Sequence, residues 1–173
     1  MKKPLLLLIL LAGCAREPDM RSDWERKNLP AEPAPEEALA TPGYPAAARL
    51  VQVPVANGGS FRYYVDPASL SAGRDGIVRY TVVARSPAGS ENVFYEGLRC
   101  MTRQYRVYAI GRSDGTWGGR QSDWQPLAAS STQPWREVLF RDYFCPHSDP
   151  VRSAAEGVRA LESGGHPSAG IER

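Results

Sequence analysis

The sequence has few of the residues that most catalytic and metal sites require. The chain of 173 residues contains two histidines, His147 and His166, and three cysteines. It has no histidine pair at i,i+4 spacing, no Gly-x-Ser-x-Gly elbow, no P-loop and no dinucleotide fingerprint. These absences exclude the common sequence signatures of zinc proteases, serine hydrolases and nucleotide-dependent enzymes. We therefore expect no cofactor, no metal ion and no catalytic residues.

Lysine is also scarce, which bears on the class of partner. Lys2 and Lys3 lie at the extreme N-terminus, and Lys27 is the only other lysine. Leaving out the first two lowers the count of Lys and Arg from 21 to 19, against 19 Asp and Glu. Nucleic-acid binding depends on a cationic surplus that displaces phosphate counterions. The balanced charge therefore argues against a nucleic-acid partner, and the remaining positive charge is almost all arginine, which pairs well with carboxylates and aromatic rings.

No apolar run is long enough to span a bilayer, but a short one opens the chain. Residues 5–11 are apolar and end in Leu11-Ala12-Gly13-Cys14. A membrane-spanning helix needs roughly 20 apolar residues, so residues 1–13 are predicted to be a secretory signal peptide. The ending resembles a bacterial lipobox, which predicts lipidation of Cys14; an ordinary signal peptide with an incidental cysteine is the alternative. Ala15 follows, which by analogy with bacterial lipoproteins favours the outer membrane, with the domain facing the periplasm.

Proline dominates the segment after the leader. Six prolines fall between residues 16 and 48, at positions 18, 30, 33, 35, 42 and 45. Proline removes a backbone donor and keeps the preceding residue out of the α region, and few large apolar residues are present to offset the entropy of ordering. We therefore predict a lipidated, proline-rich tether over 14–48, a folded domain over 49–163 and a flexible tail over 164–173.

Alternating polarity predicts an antiparallel sheet. The pattern indicates strands near 50–55, 61–65, 77–85, 93–100 and 104–111. In the third strand the apolar residues at 78, 80, 82 and 84 share one face, and Arg79 and Arg85 lie on the opposite, outward face. Residues 66–70 predict a helical turn capped by Asp66, which could instead bind a metal, although capping is favoured. Residues 137–144 form an apolar element of uncertain type, and 149–162 predict a helix beginning at Asp149-Pro150.

The fold class that follows is α+β. We expect a single small domain in which a curved antiparallel β-sheet of about five strands carries a C-terminal helix packed on it. If Cys14 carries lipid, Cys100 and Cys145 remain as a pair in an oxidising compartment, which favours one disulfide. Closing a loop of about 45 residues should contribute roughly 4 kcal/mol in the chain-entropy model. The alternatives are a reactive thiol pair or a dyad of Cys145 with His147, which has no nucleophile once the cysteine is oxidised.

A few polar and aromatic residues are candidates for a site. Glu96 falls in the apolar register of its strand, where it could be a catalytic acid. We favour a structural explanation, in which Glu96 pairs with an arginine or its face of the strand is not buried. Trp117, Trp124 and Trp135 lie in an irregular region, where they could stack on a sugar or, more often, plug loops onto the core. The candidate ligand face comprises Arg79, Arg85, Glu96, Trp117 and Trp124.

Assembled, these stretches resemble the CNP1-like family, a group of uncharacterised bacterial lipoprotein-type domains. The similarity covers about residues 24–161. The matching stretches are Val65-Asp66-Pro67-Ala68-Ser69-Leu70, residues 75–83, Ser86-Pro87-Ala88-Gly89, Tyr95-Glu96-Gly97-Leu98-Arg99-Cys100, Tyr108-Ala109-Ile110-Gly111, Trp117 and Asp142-Tyr143-Phe144-Cys145-Pro146. The resemblance supports the fold and the envelope location, and it implies no activity and no catalytic residues.

The resulting expectation is a non-enzymatic outer-membrane lipoprotein of unknown molecular activity. It would be attached to the membrane by its N-terminal lipid and would bind an envelope protein or glycan through the arginine and aromatic face or the tryptophan loops. The alternative is a small envelope hydrolase that uses Glu96 with a second acid, Asp66 or Asp75.

Overall fold

The structure, a computed structural model, describes residue 22 and residues 34–38, 40–56, 58–119, 121–127 and 132–169. The predicted signal peptide, Cys14 and most of the tether up to residue 33 lie outside the described residues, as do residues 170–173. The described residues from 34 onwards belong to one compact unit.

An antiparallel sheet forms the body of this unit. Its seven strands in the described part of the chain are β1 (Val51–Val53), β2 (Arg62–Ala72), β3 (Ile77–Arg85), β4 (Glu91–Arg99), β5 (Gln104–Gly111), β6 (Trp117–Gly118) and β7 (Gln125–Pro126). The order is β1-β2-β3-β4-β5-β6, and β7 also pairs with β5. Sequential strands are therefore spatial neighbours. The predicted α+β domain is confirmed, and the strands beyond the five expected are the two-residue β6 and β7.

The core lies between one face of the sheet and two helical elements. Helix α1 (Trp135–Val138) continues directly as a π-helix, Leu139–Phe144, and α2 (Ala154–Glu162) follows. The core residues have apolar side chains that are almost completely buried between this face and the helices. They include Tyr63, Val65, Val78, Tyr80, Val82, Leu98, Trp135, Leu139, Phe144 and Leu161. The apolar element at 137–144 is thus helical.

The outer face of the sheet is covered as well. In β3 the side chains that alternate with the core residues are also buried, and Arg79 is only 1% exposed. The prediction of an outward, solvated arginine face is therefore wrong at Arg79. Alternation gives the face on which a residue lies, but a second layer packed on that face decides its burial.

The predicted helical turn at 66–70 is wrong, because β2 runs through it. The pairing of β2 with β3 shifts register between Asp66 and Ser71, which marks a β-bulge. Asp66 Oδ1 accepts a hydrogen bond from the Ala68 amide at 3.1 Å, and Ser69 Oγ accepts one from the Thr81 amide at 2.8 Å. The Asp-Pro pair does indicate a local turn, but its hydrogen bonds stabilise a β-bulge and not the first turn of a helix.

Helix α2 begins later than the sequence predicts. Its N-cap is Ser153, whose hydroxyl accepts a hydrogen bond from the Glu156 amide at 3.2 Å. The Glu156 carboxylate accepts one from the Arg152 amide at 2.6 Å. The predicted start at Asp149-Pro150 is therefore wrong. Gly164, with φ of +75°, follows the last turn as expected.

A disulfide and the C-terminal residues tie the helices to the sheet. Cys100, just after β4, is bonded to Cys145, just after the π-helix, which confirms the predicted pair. Residues 164–169, assigned to a flexible tail, instead fold back onto the domain. The His166 amide donates to the Asp142 carbonyl at 2.7 Å, and His166 Nε2 lies 3.2 Å from the Glu156 carboxylate.

Candidate functional site

The outer face of the sheet is covered by residues 34–38 and 40–44, which we call the strap. Its first part is held by the Glu37 amide, which donates to Asp75 Oδ2 at 2.8 Å. Its second part is held by Trp117, whose indole donates to the Pro42 carbonyl at 2.8 Å and whose ring lies 5.1 Å from that of Tyr44. These residues were assigned to the tether, with a domain boundary at residue 49. The structure differs: the strap packs on the domain.

A buried ion pair lies under the first part of the strap. Arg79 from β3 donates to both oxygens of Asp75, at 2.6 and 3.3 Å, and more weakly to the Glu37 carbonyl at 3.4 Å. Burial opposes ionisation of both groups. The hydrogen bonds from Arg79 and from the Glu37 and Ile77 amides outweigh it at Asp75 and lower the pKa of that carboxyl. The hydrogen bond to Asp75 likewise raises the pKa of the Arg79 guanidinium.

The strap contributes one carboxylate that reaches two arginines. Glu36 Oε2 accepts a hydrogen bond from Arg106 Nη1 at 2.7 Å, and Glu36 Oε1 lies 3.6 Å from Arg79 Nη2. Arg106 belongs to β5 and is also fixed by its Nε, which donates to the Ser122 carbonyl at 2.8 Å. Glu36 therefore bridges guanidinium groups from two strands that are separated by β4.

Two tyrosines form the aromatic part of the site. The rings of Tyr95 and Tyr108 lie 5.3 Å apart, and the Arg79 guanidinium lies 5.5 Å from the centre of the Tyr108 ring. Tyr108 is the extra residue of a bulge, because Tyr95 pairs with Ala109 while Glu96 pairs with Val107.

The Tyr108 hydroxyl is buried without a hydrogen-bond partner among the described residues. Burial and the nearby Glu36 carboxylate raise the pKa of Tyr108, so the phenol stays protonated and is a donor at neutral pH. Gly97 makes room for its ring, since a Cβ there would lie 2.8 Å from Tyr108 Cε2.

These groups line a pocket of about 450 Å³, the outer-face pocket. Its described lining residues are Glu36, Glu37, Ala38, Thr41, Arg79, Tyr95, Arg106, Tyr108 and Gln121. The lining presents guanidinium and phenol donors beside aromatic surface, and no histidine, cysteine or serine is among these residues. Such a surface suits recognition of an anionic or strongly polar group.

Glu96, a candidate of the sequence analysis, lies on the opposite face of the sheet. Its side chain is fully buried, and Arg136 from α1 donates to it through Nε at 3.1 Å and through Nη2. The Tyr80 hydroxyl at 3.1 Å and the Trp135 indole at 3.2 Å also donate to it. The structure therefore pairs Glu96 with an arginine, as the sequence analysis favoured.

The other candidates are dispersed around the sheet. Arg85 pairs with Glu91 at 2.7 Å and stacks on the Tyr64 ring at 4.8 Å, away from the outer-face pocket. Trp124 lies under Arg99 and Arg106, whose guanidinium carbons are 4.2 and 5.3 Å from its ring centre. Trp117 holds the strap. Arg79 alone of the predicted face lines the pocket, with Trp117 and Trp124 touching residues around it.

The acids of the hydrolase alternative are not brought together. Each interacts with a different arginine: Glu96 with Arg136, Asp75 with Arg79, and Asp66 with Arg49 at 3.3 Å. None of the three lines the outer-face pocket. In the dyad alternative, Cys145 is in the disulfide and offers no thiol.

Sequence reasoning missed Glu36, Tyr95, Arg106 and Tyr108. Alternation alone places Arg106 and Tyr108 on the same face of β5, but it does not indicate that this face carries a pocket, and Glu36 lies in a segment whose composition indicates a tether. The described residues also contain no cluster of three or more His, Cys, Asp or Glu suited to a metal ion. Within the same residues, no helix combines the length and the hydropathy that a membrane crossing requires.

Comparison with protein families decides the classification. A family model for the CNP1-like family matches residues 30–162. The chain belongs to the CNP1-like family. The region matched by this model begins before the strap and ends with α2, so in this CNP1-like protein every residue of the outer-face pocket lies within it. No curated protein and no solved structure matches the chain.

Proposed function

We propose that this CNP1-like protein is a non-enzymatic binding module of the cell envelope, anchored to the outer membrane by lipid on Cys14. Its ligand, a protein or glycan of the envelope, is held at the outer-face pocket. The observation that carries the proposal is the convergence of Arg79, Arg106 and the unpartnered Tyr108 hydroxyl on one open pocket. Rigidly held donors of this kind recognise a polar ligand.

A binding role is favoured over hydrolysis by the position of the acids. The carboxylates that could act as general acid or base interact with arginines, and Glu96 is fully buried. The groups that reach the pocket are hydrogen-bond donors, aromatic rings and the carboxylates of Glu36 and Glu37. Each of these two carboxylates is also paired with an arginine, Glu36 with Arg106 and Glu37 with Arg74, which favours a role in holding a ligand over a role as an acid and base pair for water attack.

The anchor limits where the ligand can be. The short apolar leader ending at Cys14 supports export and acylation. Residues 15–33 separate that cysteine from the strap, and at 3.3–3.6 Å per residue they can span at most about 70 Å. The outer-face pocket, which the strap helps to line, is therefore restricted to a shell close to the membrane surface.

The test is capture from crosslinked cells that carry the tagged full chain. Arg106→Gln removes a pocket donor whose side chain is only 20% exposed, whereas Arg141→Gln changes an arginine that is 60% exposed and pairs with its neighbour Asp142. We expect the wild type and Arg141→Gln to retain the same envelope component and Arg106→Gln to lose most of it. Equal capture by all three would contradict the role of the pocket.

The anchor needs its own measurement. Mass spectrometry of the native protein should show a chain that starts at Cys14 and carries acyl groups, and Cys14→Ser should abolish both the acylation and the membrane fraction. A chain that retains Met1 and an unmodified Cys14 would remove the envelope part of the proposal.

A further inference from the structure

The outer-face pocket already holds one group, the side chain of Glu36 from the strap. We propose that this pocket is a carboxylate-binding site in which Glu36 is an internal occupant that an external carboxylate replaces. The inference rests on the proposed function and names the chemical class of its ligand.

The charges around Glu36 define a site for one anion. Arg79 and Asp75 neutralise each other through two hydrogen bonds, and Arg106 has Glu36 as its carboxylate partner at 2.7 Å. Glu37, which also lines the pocket, is paired with Arg74 at 3.5 Å. Without the Glu36 side chain, Arg79, Asp75 and Arg106 would therefore leave one uncompensated positive charge in a partly buried pocket. A group with a single negative charge restores the balance, which favours a carboxylate over a doubly charged phosphate.

The fit of Glu36 is incomplete, which leaves a donor for a better ligand. Its contact with Arg79 is long, at 3.6 Å, because Arg79 Nη2 already donates to Asp75 at 2.6 Å. The Tyr108 hydroxyl next to it is close enough for the Glu36 carboxylate to raise its pKa, but it is buried and makes no hydrogen bond of normal geometry among the described residues. An unsatisfied buried donor is costly. A free carboxylate, not restrained by the strap backbone, can accept from both Arg106 and Tyr108.

The two parts of the strap are held by separate contacts. Besides Glu36 itself, the first part has the Glu37 amide bond to Asp75, a long 3.4 Å bond from Arg79 to the Glu37 carbonyl, and a 3.5 Å ion pair of Glu37 with Arg74, whose side chain is fully solvated. The second part is held by the bond from the Trp117 indole to the Pro42 carbonyl and by the partly buried contact of Trp117 with Tyr44. Glu36 and Glu37 can therefore detach while the rest of the strap stays bound.

An internal occupant lowers the apparent affinity for an external one. If Glu36 fills the site nine-tenths of the time or more, removing its charge raises the apparent affinity about tenfold or more. Glu36→Gln in the full chain, purified in detergent, makes that change. Glu91→Gln is the matched control, since Glu91 is also a strand-face carboxylate paired with an arginine, Arg85, but lies outside the pocket.

The probe is the α-methylamide of N-acetyl-L-glutamate, whose single carboxylate reproduces the Glu36 side chain, titrated while the side-chain Nε–H resonances of the arginines are followed by NMR. The α-methylamide of N-acetyl-L-glutamine is the neutral counterpart, and inorganic phosphate tests the other anion class. We expect the shifts to report binding to Glu36→Gln at least about tenfold tighter than to wild type or Glu91→Gln. We expect no response to the neutral probe and a weaker one to phosphate.

A second measurement uses the wild type and does not depend on a variant that folds. Excess N-acetyl-L-glutamate α-methylamide should accelerate hydrogen exchange of the Glu37 amide, because displacement of Glu36 frees the bond to Asp75. Unchanged exchange, or equal affinity of Glu36→Gln and wild type, would overturn the inference, and tighter binding of phosphate would overturn the ligand class. If cells still yield an Arg106-dependent partner after such a result, the binding module stands and only its carboxylate ligand is wrong.

Discussion

The buried ion pair between Glu96 and Arg136 joins the sheet to the helices, and removing it is the most stringent test of this connection. It connects β4 to α1 across the core, and both side chains are at most 2% exposed. Arg136→Met keeps an unbranched side chain in place of the apolar stem but removes the guanidinium and its charge. The Glu96 carboxylate then stays buried with two neutral donors, the Tyr80 hydroxyl and the Trp135 indole.

The magnitude follows from the partners that remain. Removing one member of a buried pair costs about 3–5 kcal/mol, because the other charge is left uncompensated. Arg136 also lies 3.7 Å over the Tyr105 ring, a desolvated contact worth up to about 2 kcal/mol. The two neutral donors offset part of this loss. We therefore expect Arg136→Met to lower the free energy of unfolding by about 4 kcal/mol and Glu96→Gln by about 3 kcal/mol.

The double variant separates the pair from its surroundings. In Glu96→Gln/Arg136→Met no buried charge remains at this position, and the Gln carbonyl can still accept from Tyr80 and Trp135. We expect its loss to be near that of one single variant, a coupling of about 3 kcal/mol. A typical domain has 5–15 kcal/mol of stability in total, so the single variants should remain measurable but marginal.

The assay is urea unfolding followed by tryptophan fluorescence, in which Trp135 reports directly on the pair. Arg141→Met, which breaks an exposed pair with Asp142, is the control and should cost less than about 1 kcal/mol. A loss below about 1 kcal/mol for Arg136→Met, or additive effects in the double variant, would refute a structural role for this pair.

The remaining predictions concern the outer face and the disulfide. Because the folded pKa of Asp75 is lowered, its stabilisation is present above about pH 4 and disappears as the pH falls through that folded pKa. Asp75→Asn should therefore have a lower melting temperature than wild type at pH 7. The difference in melting temperature between the two proteins should be smaller at about pH 2, and an equal difference at both pH values would contradict this. Gly97→Ala should cost about 1–3 kcal/mol in urea unfolding, because its Cβ meets the Tyr108 ring, and Tyr108→Ala should relieve most of that cost in the double variant. Cys145→Ser should lower the free energy of unfolding by about 4 kcal/mol, because the disulfide joins cysteines 45 residues apart in the sequence and its loss frees the unfolded chain. The comparison with wild type is made by urea unfolding under non-reducing conditions. No loss of stability would show that the bond does not restrict the unfolded chain.

The elements that the sequence predicts well are those whose determinants are local. The alternation in β3 and β4 places Val78, Tyr80 and Leu98 in the core, and the two available cysteines leave one intramolecular pairing once Cys14 is set aside. The Asp66-Pro67 turn signal was also local, but two different structures satisfy it. A helical turn and a β-bulge both place the aspartate carboxylate on a nearby amide, and only the strand opposite decides between them.

The outer-face pocket could not be predicted, because its determinants are distant in sequence. The alternation indicated that Arg79 faces away from the core, and it could not indicate that Asp75 and the strap enclose it. The pairing of Glu96 with an arginine was expected from its register. Which of the many arginines it binds depended on how α1 packs across the sheet, which puts Arg136 opposite it.

The strap explains why a proline-rich composition was misleading here. Its contacts use backbone groups, two carboxylates and a tyrosine, none of which has the apolar periodicity that marks a buried element. The sheet carries the complementary feature. A Cβ at Gly111 would meet the ring of Tyr44, so the glycine leaves room for the strap to pack on this strand. Neither the glycine nor the tyrosine is informative alone, because each is ordinary in its own segment. Their combination makes the strap part of the domain, and the pocket therefore carries a wall that belongs to the same stretch of chain as the predicted membrane anchor.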